Sequence, residues 1–142
     1  MSDTPRIPGA DLVIRHFGYW PDFHDAEIHW LRLDRSGPTL EFLVHAFETT
    51  GEIDDQGCFV RAKHCLVRLR CREFNELEAG GFNEQNVLFE IGLMNLREEG
   101  SDTESWELEI VPSYGLGATV KGGVPEVVSL VPCDPEGLPR EA

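Results

Sequence analysis

Alternation of apolar and polar residues with a period of two runs through most of this chain, and that period predicts strands. Residues 39–48 put Leu40, Phe42, Val44 and Ala46 on one side. Residues 64–73 put Cys65, Val67, Leu69 and Cys71 inward, and Trp106, Leu108 and Ile110 alternate strictly with Glu107 and Glu109. Such strands have one core face and one wet face. Residues 26–35 are apolar on both sides, with Ile28 and Trp30 on one and His29, Leu31 and Leu33 on the other. That pattern fits a strand covered on each face or one carrying a bulge. Val87, Phe89, Ile91 and Leu93 share a face opposite Leu88 and Met94, which reads as a central strand. Shorter strands are expected within residues 74–81, 119–121 and 124–131, and Pro112 is expected to end the strand that begins at Trp106.

One segment has a helical period instead. Leu12, Val13, His16 and Phe17 form a stripe, with Asp11 near its start and Gly18 as a stop. A helix this short draws its stability from packing on a sheet rather than from propensity. Turns are expected at Ser36-Gly37-Pro38 and Gly122-Gly123. Polar loops are expected over residues 49–57, as a mobile turn, and over 97–105, as an acidic hairpin loop. The fold class is therefore α+β: a mostly antiparallel sheet of about seven to eight short strands joined as hairpins, with one short N-terminal helix packed on it. The 142 residues form a single domain, residues 1–142, with an ordered core over about 9–132 and flexible tails at 1–8 and 133–142.

Charge narrows the list of partners. With 12 Lys+Arg against 26 Asp+Glu, the net charge is −14, which disfavours nucleic acid and anionic membranes and favours basic proteins. No apolar run approaches the ~20 residues of a membrane span, and the first residues lack the apolar core of a signal peptide. Cys58, Cys65, Cys71 and Cys133 fit no zinc or redox spacing. Reduced thiols and no export signal point to the cytoplasm. The exception to the acidic character is Arg68, Arg70 and Arg72, which share one face of a strand. That stripe either pairs with carboxylates of neighbouring strands or meets an acidic partner or phosphate.

Several chemistries are excluded by spacing. The glycines of residues 114–118 precede a strand rather than a helix, so they make no nucleotide loop. Residues 49–57 lack the ligand order of a calcium loop. There is no Gly-x-Ser-x-Gly, and no cysteine has a basic neighbour placed to activate it. No metal and no cofactor is expected.

The densest chemistry lies in residues 18–27, where Tyr19, Trp20, Pro21, Asp22, Phe23, His24, Asp25 and Glu27 connect the helix to the first strand. A hydrolase would require several of His24, Asp25, Glu27, His29 and His45 to converge, yet adjacent residues of a strand point to opposite faces. The reading preferred here is a structural junction formed by Trp20, Pro21, Phe23, His24, Asp25 and Glu27, with His24 held by a carboxylate. Another is a ligand or self-association cleft lined by Tyr19, Trp20, Trp30 and His24.

Residues 16–28, His-Phe-Gly-Tyr-Trp-Pro-Asp-Phe-His-Asp-Ala-Glu-Ile, followed by Leu31 to Arg35, resemble the opening of the immunity protein 50 family. Gly81-Phe82-Asn83-Glu84-Gln85-Asn86 ahead of an apolar strand is similar to a second, weaker block of that family. The resemblance implies a small cytoplasmic protein of a bacterial polymorphic toxin system that binds and neutralises a cognate toxin and is not an enzyme. On that footing the toxin is a protein partner, with a basic nuclease as one candidate. The contact surface would include the exposed acids Glu52, Asp54 and Asp55, and Glu98, Glu99, Asp102 and Glu104, while the signature maintains the fold.

Overall fold

Leu40, Phe42, Val44 and Ala46 are each at most 1% exposed, and so are Cys65, Val67 and Leu69 in the strand beside them. This pair is β2 (Thr39–Ile53) and β3 (Phe59–Arg72), and around it the computed structural model describes residues 4–100 and 104–139. Those residues contain one helix, α1 (Ala10–Phe17), and six further strands. They are β1 (Glu27–Asp34), β4 (Glu76–Gly80), β5 (Val87–Asn95), β6 (Trp106–Tyr114), β7 (Gly117–Gly122) and β8 (Pro125–Pro132). All pair antiparallel in one sheet of order β4-β7-β6-β5-β1-β2-β3-β8, the α+β architecture with a short N-terminal helix that the pattern predicts.

The sheet curls on itself. Its middle joint is narrow, because β1 and β5 share only the register pair Glu27↔Val87, supported by Ile28 N–H donating to the Asn86 carbonyl at 2.8 Å. At the other side β3 touches β7, which lies far from it in strand order. Gly123 N–H donates to the Arg72 carbonyl at 3.1 Å, and Asn75 N–H donates to the Lys121 carbonyl at 2.8 Å. Gly122 lies so close that an added Cβ would be 2.5 Å from the Phe74 backbone. Curling lets both halves supply one core: Phe42, Val44, Val67 and Leu69 from one, and Leu88, Leu108, Ile110 and Val120 from the other.

The helix packs on β8 and β3 and buries Ala10, Val13 and Phe17. Their i, i+3, i+7 spacing is the stripe an amphipathic helix buries. His16, predicted to share that stripe, is half-buried beside it, with its Nε2 2.7 Å from the Lys63 carbonyl. Gly18 closes the helix at φ 91°, its N–H donating to Ile14 at 2.7 Å. Before the helix, Ile7 is 7% exposed and the Pro8 carbonyl accepts the Val127 N–H at 2.8 Å. After β8, Cys133 is 2% exposed, its N–H donates to His64 at 3.0 Å, and it bridges to Pro139. Parts of the two segments assigned to flexible tails, 1–8 and 133–142, thus pack on the sheet.

Bulges reassign faces that the period-two reading had fixed. In β1 the register jumps between Ile28 and Trp30, so Ile28 opposes Val44 and Leu31 opposes Phe42, both on the core side. Trp30 instead opposes Leu43 on the outer face, where the Arg68 guanidinium lies 5.8 Å from its ring. In β5, register shifts flank Leu88, which is 1% exposed, while Phe89 is 51% exposed. Leu88 is therefore the inward residue of that strand and Phe89 an outward one. Pro112 does not end β6, which continues to Tyr114; it sits opposite the irregular Leu88, where a missing N–H costs the ladder little.

The largest difference concerns residues 49–57. Only residues 54–57 of them form the turn: β2 continues to Ile53, β3 begins at Phe59, and the two form an arm beyond the core. Thr50 Oγ1 donates to the Val60 carbonyl at 2.9 Å, and Asp54 Oδ1 accepts the N–H groups of Gln56 and Cys58 at 2.9 Å each. An arm with both faces in water needs no apolar alternation, so its composition reads as loop.

Candidate functional site

The signature residues divide by chemistry. Trp20, Phe23 and Ala26 are 7%, 3% and 1% exposed, and the Trp20 and Phe23 rings meet edge to face at 5.5 Å. Tyr19, Asp22, His24 and Asp25 face solvent. The apolar half anchors a loop whose polar half is displayed.

Hydrogen bonds set the loop's shape. Phe23 and Asp25 adopt left-handed backbone angles, φ 61° and 66°, a region that costs a non-glycine residue energy. The bends are held by Ala26 N–H to the Phe23 carbonyl at 3.1 Å, Asp25 N–H to the Leu88 carbonyl at 2.9 Å, and His24 N–H to Asp22 Oδ1 at 2.9 Å. The His24 ring stands edge-on to Phe89 at 5.4 Å, with Nδ1 3.2 Å from the Phe89 carbonyl and Nε2 3.7 Å from Asp25 Oδ1. Glu27 lies in β1 opposite His45 of β2.

Opposite this loop stands the base of the arm, and between them opens a cleft of about 600 Å³. Tyr19, Trp20, Asp22, His24 and Asp25 line one wall, and Phe47, Glu48, Thr49 and Phe59 line the other. The walls are tied by the Tyr19 hydroxyl, which donates to Glu48 Oε1 at 2.8 Å; on the arm side Lys63 Nζ lies 3.6 Å from Glu48 Oε2 and donates to the Phe17 carbonyl at 3.1 Å. Burial, and then the bond to Glu48 and its charge, push the Tyr19 hydroxyl up to about 12. It is thus a donor at any physiological pH. Trp30 does not line this cleft. Phe59 escaped the sequence reading because it belongs to the arm, and Phe47 and Glu48 because nothing in their strand links them to the signature; an aromatic directly after an acidic turn was the available signal for Phe59.

The two acidic turns lie at different ends. β2 runs antiparallel to β1, so the arm extends past the start of β1, where the signature loop lies; the β5–β6 connection lies beside Arg6, Pro8 and Val124, next to the start of β8 and the end of β3. Glu52, Asp54 and Asp55 are exposed at the arm tip, with Asp54 serving the turn. Glu98, Glu99 and Glu104 are exposed on the β5–β6 connection, where Glu104 accepts Trp106 Nε1–H at 2.9 Å. Asp102 lies outside the described residues. Large apolar groups are exposed around the signature loop and the arm: Ile53 63%, Phe59 61%, Phe89 51% and Tyr19 40%.

The arginine stripe faces carboxylates of neighbouring strands. Glu41, 5% exposed, accepts from Arg68 Nε at 2.7 Å and lies 3.4 Å from Arg32 and 3.6 Å from Arg70. Glu126 accepts from Arg70 at 2.8 Å and Arg72 at 2.7 Å. Burial pushes the Glu126 carboxyl up, but the two guanidiniums outweigh it and hold the group below its ordinary range.

Three histidines form a further cluster. His45 Nε2 lies 2.9 Å from His64 Nδ1, His29 packs edge-on to His45 at 5.8 Å, and Gly137 sits against both His29 and His45. Burial first, then the charges of His64 and His29, push His45 down to about 4. Among the described residues no three His, Cys, Asp or Glu side chains are grouped to hold a metal ion, and no helix is long and apolar enough to cross a membrane.

No curated protein and no solved structure matches the chain. A family model does: that of immunity protein 50 matches residues 9–111, from the start of α1 into β6, and so takes in the signature loop, the arm and both acidic turns. With most of its length covered, the chain belongs to the immunity protein 50 family.

Proposed function

We propose that this protein binds a cognate toxin of a bacterial polymorphic toxin system in the cytoplasm and neutralises it by occlusion, with no chemistry of its own. The observation that carries this reading is the family match over residues 9–111, since the family implies an immunity protein with a toxin partner. The toxin's class follows from charge. A net charge of −14 steers the chain toward a positive surface, such as the substrate cleft of a basic nuclease, and fits neither nucleic acid nor an anionic membrane as partner. The end bearing the signature cleft, Glu52 and Asp55 combines exposed apolar groups with carboxylates. That composition suits a specific protein interface, with an aromatic centre and a polar rim.

The test is co-expression with the C-terminal domain of the large reading frame adjacent to this chain's gene. Growth should be rescued, and a one-to-one complex should survive about 150 mM salt, where loose charge pairing is screened. A folded chain that neither rescues growth nor binds would refute the proposal. One observation favours a second reading, a small-ligand module: the volume of about 600 Å³ lies within the range of ligand sites. The hydrolase reading loses its constellation, because His24 sits with Asp25 and Phe89 while His29 and His45 share ring contacts with each other and with His64.

A further inference from the structure

We infer that the cleft between the signature loop and the arm is the site where the partner inserts an arginine or lysine side chain, and that Phe59 packs against the partner backbone carrying it. This rests on the immunity reading above and names the surface and the chemistry through which it works.

The cleft has the two features that select a cation. Its lining includes the aromatic residues Tyr19, Trp20, Phe47 and Phe59. Three carboxylates, Asp22, Asp25 and Glu48, line the same space. Against them stand His24, which lines the cleft, Lys63, 3.6 Å from Glu48, and Arg61, which stacks on Phe47. A guanidinium or ammonium entering here gains a carboxylate and a ring face together, which a neutral or anionic group does not. The chain already shows this preference on one of the same rings, because the Arg61 guanidinium lies 4.2 Å from the centre of Phe47.

The rim argues for a protein as the carrier of that cation. Ile53 and Phe59, 63% and 61% exposed, project from the arm above the cleft, and Tyr19 and Phe89 are exposed across from them. A small cation would be indifferent to such a rim. A protein loop buries it, and a long aromatic flanking a charged anchor is the composition of an interface hot spot. The signature then has a double task, its buried half building the junction and its exposed half meeting the partner.

Binding of the toxin domain is measured for Phe59→Ala and for the pair Asp22→Asn, Asp25→Asn, with Glu98→Gln, Glu99→Gln on the distant β5–β6 connection as the charge control. Phe59→Ala should weaken binding about 30-fold, as loss of a hot-spot anchor does. The Asp22/Asp25 pair should weaken it about 10-fold and flatten its salt dependence, while the control pair stays within about 3-fold. Asp22 also accepts the His24 N–H, so unchanged thermal melts are required of each variant, and Glu48→Gln serves as a second cleft variant that spares the loop. A complex that forms equally well with every cleft variant overturns this inference and leaves the immunity reading standing. Failure of the unaltered chain to bind the toxin domain overturns both.

Discussion

Acid should destabilise this protein through His45 before its carboxylates begin to titrate. The ring is 9% exposed in β2, its Nε2 is 2.9 Å from His64 Nδ1, and His29 and Gly137 close over it. In a bond between two imidazoles one nitrogen donates and the other accepts; protonating both leaves two donors face to face. Burial, His64, His29 and Arg61 all oppose a charge on His45, Asp134 alone favours it, and the net effect holds the group near 4 against 6.5 in the unfolded chain. Because the folded value is the lower one, the unfolded chain binds more protons between these limits. Stability is then full above about pH 6.5 and falls as the pH drops toward 4. Linkage gives a loss of about 2 kcal/mol by pH 5 from this group alone. Denaturant unfolding at pH 7, 6 and 5 measures it, with His45→Gln as the comparison, since an amide still offers His64 a partner and does not titrate. The 26 acidic residues are common to both proteins, so their contribution cancels in the difference. The unaltered chain should lose about 2 kcal/mol more than His45→Gln between pH 7 and 5. Parallel pH profiles would refute the reasoning.

Glu41→Gln should lower stability by about 2 kcal/mol in thermal melts, because it leaves Arg68 and Arg70 crowded around a neutral group at a 5%-exposed position. Asn86→Ala should cost about 2–3 kcal/mol: the side chain, 3% exposed, accepts the N–H groups of Asn83 and Leu116 and donates to the Asn83 carbonyl. Gly9→Ala should be comparably disruptive, since the added methyl is driven into the Val127 carbonyl at a φ of 82°, and loss of α1 packing would appear as exchange of its amides. In the native protein a thiol reagent should label Cys58 quickly and Cys65, Cys71 and Cys133 only on unfolding, for Cys58 is exposed and burial pushes Cys65 and Cys71 up to about 12.

The parts of the fold that could be read from the chain are those where burial acts on one face only. Leu40, Phe42, Val44 and Ala46 alternate because water lies on one side of β2 and the core on the other, and Trp106, Leu108 and Ile110 alternate for the same reason. Where that condition fails the period is lost. The arm from Thr49 to Phe59 buries neither face, so its strands look like a loop. The bulges at His29 and beside Leu88 shift parity mid-strand, and a one-residue shift exchanges every face beyond it. The site followed the same rule. The signature loop was conspicuous by its density of costly side chains, but its opposite wall belongs to the arm and went unseen. The histidine cluster joins His29, His45 and His64 from three strands with Gly137 after β8, and no local pattern links such positions.

The placement of the arginines bears on function through what it leaves elsewhere. Arg32, Arg68, Arg70 and Arg72, four of only twelve basic residues, surround just two carboxylates, Glu41 and Glu126, on the outer face of β1, β2, β3 and β8. That face is close to neutral or slightly positive, so the excess of acid is displaced onto the rest of the surface. The signature end takes a share of it, with Asp22, Asp25, Glu48, Glu52 and Asp55 around the signature loop and the arm. Neutralising one face makes the molecule a dipole as well as an anion, and a dipole orients an approaching cationic partner where a uniform charge only attracts it. Reversing Glu126 to Lys should therefore slow association with a basic toxin far less than reversing Asp22 does, although both changes alter the net charge equally. Equal slowing, measured as association rates at low and at 150 mM salt, would mean that net charge alone steers the encounter and that the arginine face serves the sheet only.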